Sequence, residues 1–266
     1  MKIDLSIGIL TWKNTDSLDN TLSTYKKNGL LDMTDEICIL FQEATLADRK
    51  LANKYNLNYI ALDENVGIGR GFLMLAKMAK KKNILLLEDD WHLVENSKVS
   101  ICRLMEGLDL LQEGIHCVRY RHRKKYGFPH FSISRYKNRE LDYYDEWIKL
   151  QSPHLLDSVH WKSDPDLEWP DKIRKKNGYY FSSSRYANWT NNPCLFKRDF
   201  YIDNVAPFVG DGIDLEKNIS YWWARQNFMV AQGEGLFMHH DLKKYGNSII
   251  RMAKKIFRRL SDIANK

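Results

Sequence analysis

The sequence predicts an α/β protein built on a mixed, mainly parallel sheet flanked by helices. Four apolar runs of strand length recur before residue 90, and stretches with helical periodicity separate them. The runs are apolar throughout, not alternating, as strands covered on both faces are. Turn-forming and polar residues follow each run, and the ends of strands are where sheets of this kind collect ligands.

The elements follow in chain order. "IDLSIGILTW", residues 3 to 12, is an apolar, partly β-branched run and predicts the first strand. Asn14, Thr15, Asp16 and Ser17 supply turn and helix-cap chemistry, Leu18, Leu22 and Tyr25 recur at helical spacing, and Gly29 is a stop signal. "EICILF" (36–41) and "NYIALD" (58–63) are strands, with a helix over 45–56 between them. "ENVGIGRG" is a Gly-rich turn leading into the helix "FLMLAKMAKKK", and "NILLLEDD" is the fourth strand. A helix over 97–114 places Ile101, Leu104, Leu108 and Leu111 on one stripe. "HCVRYRHR" alternates like a strand. Residues 123 to 185 suggest loops, short strands and a helix around "LDYYDEWIKLQ". "CLFKRDFY" (194–201) reads as a strand running into a helix, 214–227 as a helix, and "FMVAQGEGLFMHHD" as strand, turn and short strand. The division expected is a domain over 1–245, with a nucleotide-binding half at 1–95 and an acceptor-binding half at 96–245. A C-terminal helix over 246–266 follows.

Composition narrows the function. The chain has 266 residues, 44% of them hydrophobic, enough for a substantial core. No apolar run approaches the roughly 20 residues of a membrane-spanning helix, and the N-terminus reads as a strand and not as a signal peptide. Cys38, Cys102, Cys117 and Cys194 are scattered without a CxxC pair, which predicts free thiols and a cytoplasmic setting. There the acceptor patterns at Asn188 and Asn218 stay idle. The net charge of +7 favours anionic partners.

Glu88, Asp89 and Asp90 end the fourth strand, where clustered carboxylates repel unless a cation neutralises them. Glu88 and Asp90 are two apart and face one side of an extended chain. They can present two oxygen ligands to a hard cation such as Mg²⁺ or Mn²⁺. A solvated acidic turn is the plain alternative. The order of "SIGILTWKN", "ENVGIGRG" and "NILLLEDD" resembles GT-A fold glycosyltransferases, in particular the family 2 type. Asn65, Gly67, Arg70 and Gly71 match the family's Asn- and Gly-containing segment, and Glu88-Asp89-Asp90 its D-x-D signature with Glu in the first place. The likeness covers residues 3 to 95 well and continues more loosely to 241.

The resemblance implies roles. Glu88 would meet the donor ribose and Asp90 would bind the metal under the diphosphate. Thr11, Trp12 and Glu43 would line the base, and Arg70 would approach the diphosphate; Asn14, Asn65, Gly67 and Asp89 complete the donor-binding set. Where many relatives have "DDGS" after the second strand, this chain has "FQEAT", which bears on Glu43. In the second half, Glu216 is the first choice for the general base that an inverting transferase needs, with Asp214 and Asp211 as competitors. An acid opening a helix is also favoured by the helix dipole alone. His239 or His240 would complete the metal site. Trp189, Asn191, Asn192 and Trp222 would face the acceptor, although indoles are equally core material.

Two basic stretches remain. Residues 116 to 139 carry eight Lys or Arg and no acid, and read first as a solvated loop, then as an anionic-acceptor surface, then as an RNA contact. Residues 247 to 264 form a basic amphipathic helix, suited to docking on the chain itself, to a dimer contact or to an anionic membrane. The expectation is a metal-dependent enzyme of hexosyltransferase type. It would move a sugar from a nucleotide diphosphate sugar, UDP-linked by preference, to a glycan, lipid-linked or other hydroxyl acceptor, with inversion and with Mn²⁺ or Mg²⁺. A sugar nucleotidyltransferase is the rival enzyme, disfavoured because "TWKNTDS" lacks the Gly-rich, basic signature of that class. A nucleic-acid-binding protein is the rival outside catalysis.

Overall fold

The computed structural model describes residues 2–125, 127, 164–187, 189–209 and 215–240. The helices expected at 141–151 and 247–264, and the acids Asp211 and Asp214, lie outside the described residues.

The N-terminal half has the expected alternation. Strands β1 (Ser6–Trp12), β2 (Glu36–Gln42), β3 (Asn58–Ala61) and β4 (Asn83–Glu88) pair in parallel in the order β3-β2-β1-β4. Helices α1 (Thr15–Lys27) and α2 (Leu30–Met33) join β1 to β2, α3 (Leu46–Lys54) joins β2 to β3, and α4 (Gly67–Met78) crosses to β4. Strand β4 shows why its apolar run does not alternate. Leu85 and Leu87 join one core with Leu18, Leu22, Tyr25 and Leu104, whereas Ile84 and Leu86 join another with Phe72, Leu75 and Trp223. Each fully buried aliphatic side chain contributes about 1.5–3 kcal/mol, so a strand covered on both faces gains at every position.

Two glycines set how closely α4 lies on the sheet. A Cβ on Gly71 would meet Leu10 Cδ1 at 2.6 Å, and one on Gly8 would meet Leu75 Cβ at 3.1 Å. The second Gly of the Asn-and-Gly segment therefore serves helix–strand approach. The first, Gly67, has φ +82 at the start of α4.

The second half adds β5 (Trp91–Leu93), α5 (Ser97–Gln112), β6 (Cys117–Arg121), β7 (Ile173–Lys176), β8 (Tyr179–Ser183), β9 (Cys194–Lys197), α6 (Leu215–Trp223) and β10 (Met229–His239). The ten strands among the described residues form one mixed sheet, β3-β2-β1-β4-β9-β6-β10-β8-β7, with β5 against β10. Two details of this half depart from the sequence reading. Met229–His239 is one long strand and not two, because the Gly-Glu-Gly insertion is absorbed as a register shift between Gln232 and Phe237, with Gly235 at φ +87. Helix α6 ends at Trp223, four residues early: the chain turns there to enter β10, and the Trp223 indole donates to the Ala187 carbonyl at 2.7 Å. A β7–β8 hairpin occupies 173–183, closed by Asn177 and Gly178, both with φ > 0, as a two-residue hairpin turn requires. Among the described residues no helix is long and apolar enough to cross a membrane.

Gly71→Ala is expected to lower stability by about 1–3 kcal/mol through overpacking against Leu10. Urea unfolding measures it; an unchanged midpoint would mean that α4 can shift outward at no cost.

Candidate active site

The order of parallel strands reverses between β1 and β4, and the chain ends there form the crevice where α/β sheets bind ligands. Hydrogen bonds knit four segments into this rim. The amide of Ala44, after β2, donates to Leu62 O at 2.8 Å, after β3. The amide of Val66 donates to the buried Gln42 Oε1 at 2.8 Å. The Trp12 indole donates to Glu43 Oε1 at 3.2 Å.

Asp89 joins the β4 end to β1 and α1. It is buried, and its Oδ2 accepts from Thr11 Oγ1 at 2.5 Å and its Oδ1 from Asn14 Nδ2 at 3.0 Å. Its carbonyl accepts from Thr21 Oγ1 at 2.7 Å and Ser17 Oγ at 3.4 Å. Burial pushes its carboxyl up to about 6, against the hydrogen bond from Thr11. Thr11 and Asn14 thus spend these side-chain donors on the turn.

Asp90, the next residue, faces the other way. Its Oδ2 lies 3.0 Å from His239 Nε2, at the end of β10, and its Oδ1 is buried with no hydrogen-bond partner among the described residues. Main-chain pairing of β5 with β10 brings the two together: Trp91 stands opposite His239, their rings 4.7 Å apart, and the His240 amide donates to Asp90 O at 2.8 Å. The His240 ring instead stacks on His92 with centroids 4.1 Å apart. Burial and the adjacent His240 push His92 down to about 4, so it stays neutral. Of the two candidate histidines, His239 is the one whose ring reaches Asp90.

The orphaned Asp90 oxygen and a neighbouring imidazole fit a hard or borderline divalent ion. Among the described residues no group of three His, Cys, Asp or Glu could hold a metal. A cation at this pair would therefore draw further ligands from elsewhere, such as phosphate oxygens and water.

The remaining candidates fall into three places. At the outer rim, Trp12 is 50% exposed, with Lys13 paired to Glu43 beside it. The Lys13 and Trp12 hydrogen bonds hold the Glu43 carboxyl below its usual range. Lys13 and Glu43 both sit at φ 51, a strained conformation for residues with side chains, repeated at the ends of β1 and β2. At the start of α4, Asn65 Oδ1 accepts the Gly67 amide at 2.8 Å, Arg70 is exposed, and the N-cap Val66 supplies no side-chain hydrogen bond. That leaves amide donors and the positive end of the helix dipole on this side. Glu88 closes β4 in register with Leu10.

In the second half, Glu216 is exposed at the start of α6 and its Oε1 accepts the Asn191 amide at 2.9 Å. Trp189 is 5% exposed, packed between Phe196 and Trp223, and Asn192 is buried with its Oδ1 3.4 Å from Arg121. Asn191 Oδ1 accepts from the Trp189 indole at 3.3 Å, and Trp222 stacks on the half-exposed Phe208 at 4.3 Å. Lys13 and Gln42 lie in strand-end segments expected at the rim but without a role of their own, and His92 and Arg121 are residues of the site that were not expected. The first two adjoin predicted residues at strand ends and were within reach. The last two are marked only by pairing across the sheet.

The fold is that of GT-A glycosyltransferases. A mannosyltransferase from Pyrobaculum calidifontis, in complex with GDP-Man and Mn²⁺, matches with a TM-score of 0.55 at 8% identity, over 100% of this chain and 65% of that one. S. aureus TarS, residues 1–349, matches with a TM-score of 0.52 at 11% identity, over 88% of this chain and 60% of that one. A glucosyl-3-phosphoglycerate synthase from Mycobacterium tuberculosis, in complex with Mn²⁺, UDP-Glc and phosphoglyceric acid, matches with a TM-score of 0.50 at 12% identity, over 89% of this chain and 72% of that one. This chain therefore spans less than two thirds of the length of the first two. No family model matches it, and no curated protein matches its sequence.

The buried Asp89 carboxyl generates a pH prediction. Its folded value is above its ordinary one, so its contribution to stability is complete below about pH 4 and is lost as pH rises through about 6. For the metal-free protein that loss is on the order of 2–3 kcal/mol. Asp89→Asn should flatten it; equal slopes in urea melts of variant and parent between about pH 4.5 and 7.5 would refute the assignment.

Proposed function

We propose that this chain is a metal-dependent glycosyltransferase that moves a sugar from a nucleotide diphosphate sugar, UDP-linked by preference, to a hydroxyl acceptor with inversion. The observation that carries the reading is the Asp90–His239 pair, with its orphaned carboxylate oxygen, at the switch point of a GT-A sheet. The neighbours' bound Mn²⁺ and nucleotide sugars, GDP-Man and UDP-Glc, support it by fold likeness.

Asp90 and His239 would hold Mn²⁺ or Mg²⁺, which neutralises charge developing on a diphosphate leaving group. The chain's own residues do the rest. The open face of Trp12 stacks the base, and Glu43, fixed by Lys13, accepts from its polar edge. Glu88 takes the ribose hydroxyls. The first amides of α4 and the Arg70 guanidinium face the diphosphate, as helix N-termini suit anions. Thr11, Asn14 and Asp89 hold this arrangement in place, and Asn65 and Gly67 shape the turn before α4.

On the acceptor side, Glu216 takes the hydroxyl proton as the nucleophile attacks. The Asn191 amide orients its carboxylate; Asp211 and Asp214 are the competing bases. Asn191 and Trp222 contact the acceptor, with Trp189 and Asn192 supporting that wall from beneath. A basic helix at 247–264 would add contact with an anionic membrane if the acceptor is lipid-linked.

Thermal-shift measurements are expected to show stabilisation by UDP or a UDP-sugar that depends on Mn²⁺, lost in a folded Asp90→Ala variant. Absence of stabilisation by any nucleoside diphosphate would sink the reading. Glu216→Gln is expected to lower kcat by about 10²–10⁴-fold while leaving donor binding intact. Unimpaired turnover would transfer the role to Asp211 or Asp214.

A further inference from the structure

His122, just past β6, is 1% exposed and sits at the centre of a polar cluster built from three parts of the chain. Its Nδ1 accepts the amides of Lys124 and Lys125, each at 3.1 Å, and its Nε2 lies 2.8 Å from Glu95 Oε1. Two N–H donors aimed at Nδ1 leave no room for a proton there. The ring proton is therefore on Nε2, donated to Glu95, and the ring is neutral.

The charged groups around the ring are fixed as well. Glu95 comes from the β5–α5 connection, 3.9 Å from Arg103 and 3.6 Å from Lys125. Arg103, on α5, pairs with Glu234 at 3.1 Å and donates to Gly235 O at 2.5 Å. Glu234, carried outward by the β10 bulge, also pairs with Lys124 at 2.9 Å. Burial, aided by Arg103, lowers the His122 value below its usual one despite the pull of Glu95 and Glu234. Burial raises Glu95, but the His122 hydrogen bond and the charges of Lys125 and Arg103 outweigh it and hold that carboxyl low.

The segment that His122 caps runs along β10. The His122 amide donates to Phe237 O at 2.7 Å and the Arg123 amide to Glu234 O at 2.8 Å, and Gly127 bridges to His239. A Cβ on Gly127 would meet His239 O at 1.9 Å, so the chain lies directly on that residue.

We propose that the neutral His122 imidazole is a proton-sensitive latch: it holds residues 122–125 against β10, whose end carries His239, while unprotonated and releases them when a proton enters Nδ1. A proton there converts the acceptor of two amides into a donor facing both, so both hydrogen bonds are lost. Glu95 is already ionised when this happens, so it keeps its bond to Nε2 and the break falls on the Lys124 and Lys125 amides. His122 is a positioning residue and not a catalytic one.

The test uses the whole metal-free chain and needs no nucleotide, so its failure leaves the donor-site reading standing. Long-range ¹H–¹⁵N correlation on histidine-labelled protein should show His122 as the Nε2–H tautomer at about pH 7.5. Hydrogen exchange at the Lys124 and Lys125 amides, corrected for intrinsic rates, should lose about tenfold or more protection as His122 titrates. In His122→Asn an amide oxygen replaces Nδ1 as acceptor, so protection should persist without that pH dependence. In His122→Gln, which reaches toward Nε2 instead, protection should be lost at all pH values. An Nδ1–H or charged ring at about pH 7.5 overturns the proposal, as does exchange indifferent to the His122 titration. The wild-type measurements decide it even if a variant does not fold.

Discussion

The buried carboxylate of Asp89 is the interaction on which the rim depends. It accepts from Thr11 and Asn14 on the far side of the crevice, while its carbonyl accepts from Thr21 and Ser17. An unmatched carboxylate at this depth would cost several kcal/mol. The donors offset that cost only if the β4 end, the β1 end and the first turns of α1 hold one relative position. With Asp89 committed inward, its neighbour Asp90 must turn toward β10. The opposition of two adjacent acids comes from one being spent on structure.

The second constraint is the pairing of β5 with β10. Three residues of β5 suffice to bring His239 to Asp90, because Trp91 and His239 stand opposite each other and their rings pack. The Gly-Glu-Gly bulge lets β10 continue to that point. It changes register without breaking the strand, and turns Glu234 outward into the ion cluster around His122. One irregularity thus serves both the long strand that carries a candidate ligand and the polar cluster beside it.

Legibility differed by element. The apolar runs of β1, β2 and β4 were plain because strands buried on both faces tolerate little else, whereas the Gly-rich stretch expected as a turn forms the first turn of α4, from Gly67 on. The candidate acids were visible, and so was the inward, turn-supporting direction of Asp89, but not the partners of either Asp89 or Asp90. Period-two alternation puts Glu88 and Asp90 on one side of an extended chain, yet the chain turns at Asp89. Trp189 and Asn192 looked like wall residues from their polar neighbours, and both are buried: a turn-prone sequence does not reveal whether the sheet covers it. Arg121 and His92 carried no local signal, since their partners lie on other strands.

The sequence by itself determined the order of strands and helices in the first half, the positions of the turns after them, and the presence of acids where a sheet of this kind binds ligands. These follow from local periodicity and turn chemistry, which act over a few residues. Only the tertiary structure decided which partners hold Asp89, namely Thr11, Asn14 and Thr21. It likewise decided that His239 and not His240 meets Asp90, and that Glu95 meets His122. Each of these depends on groups tens of residues or more apart in the chain, brought within 3 Å or so by strand pairing. No pattern along the chain encodes that distance.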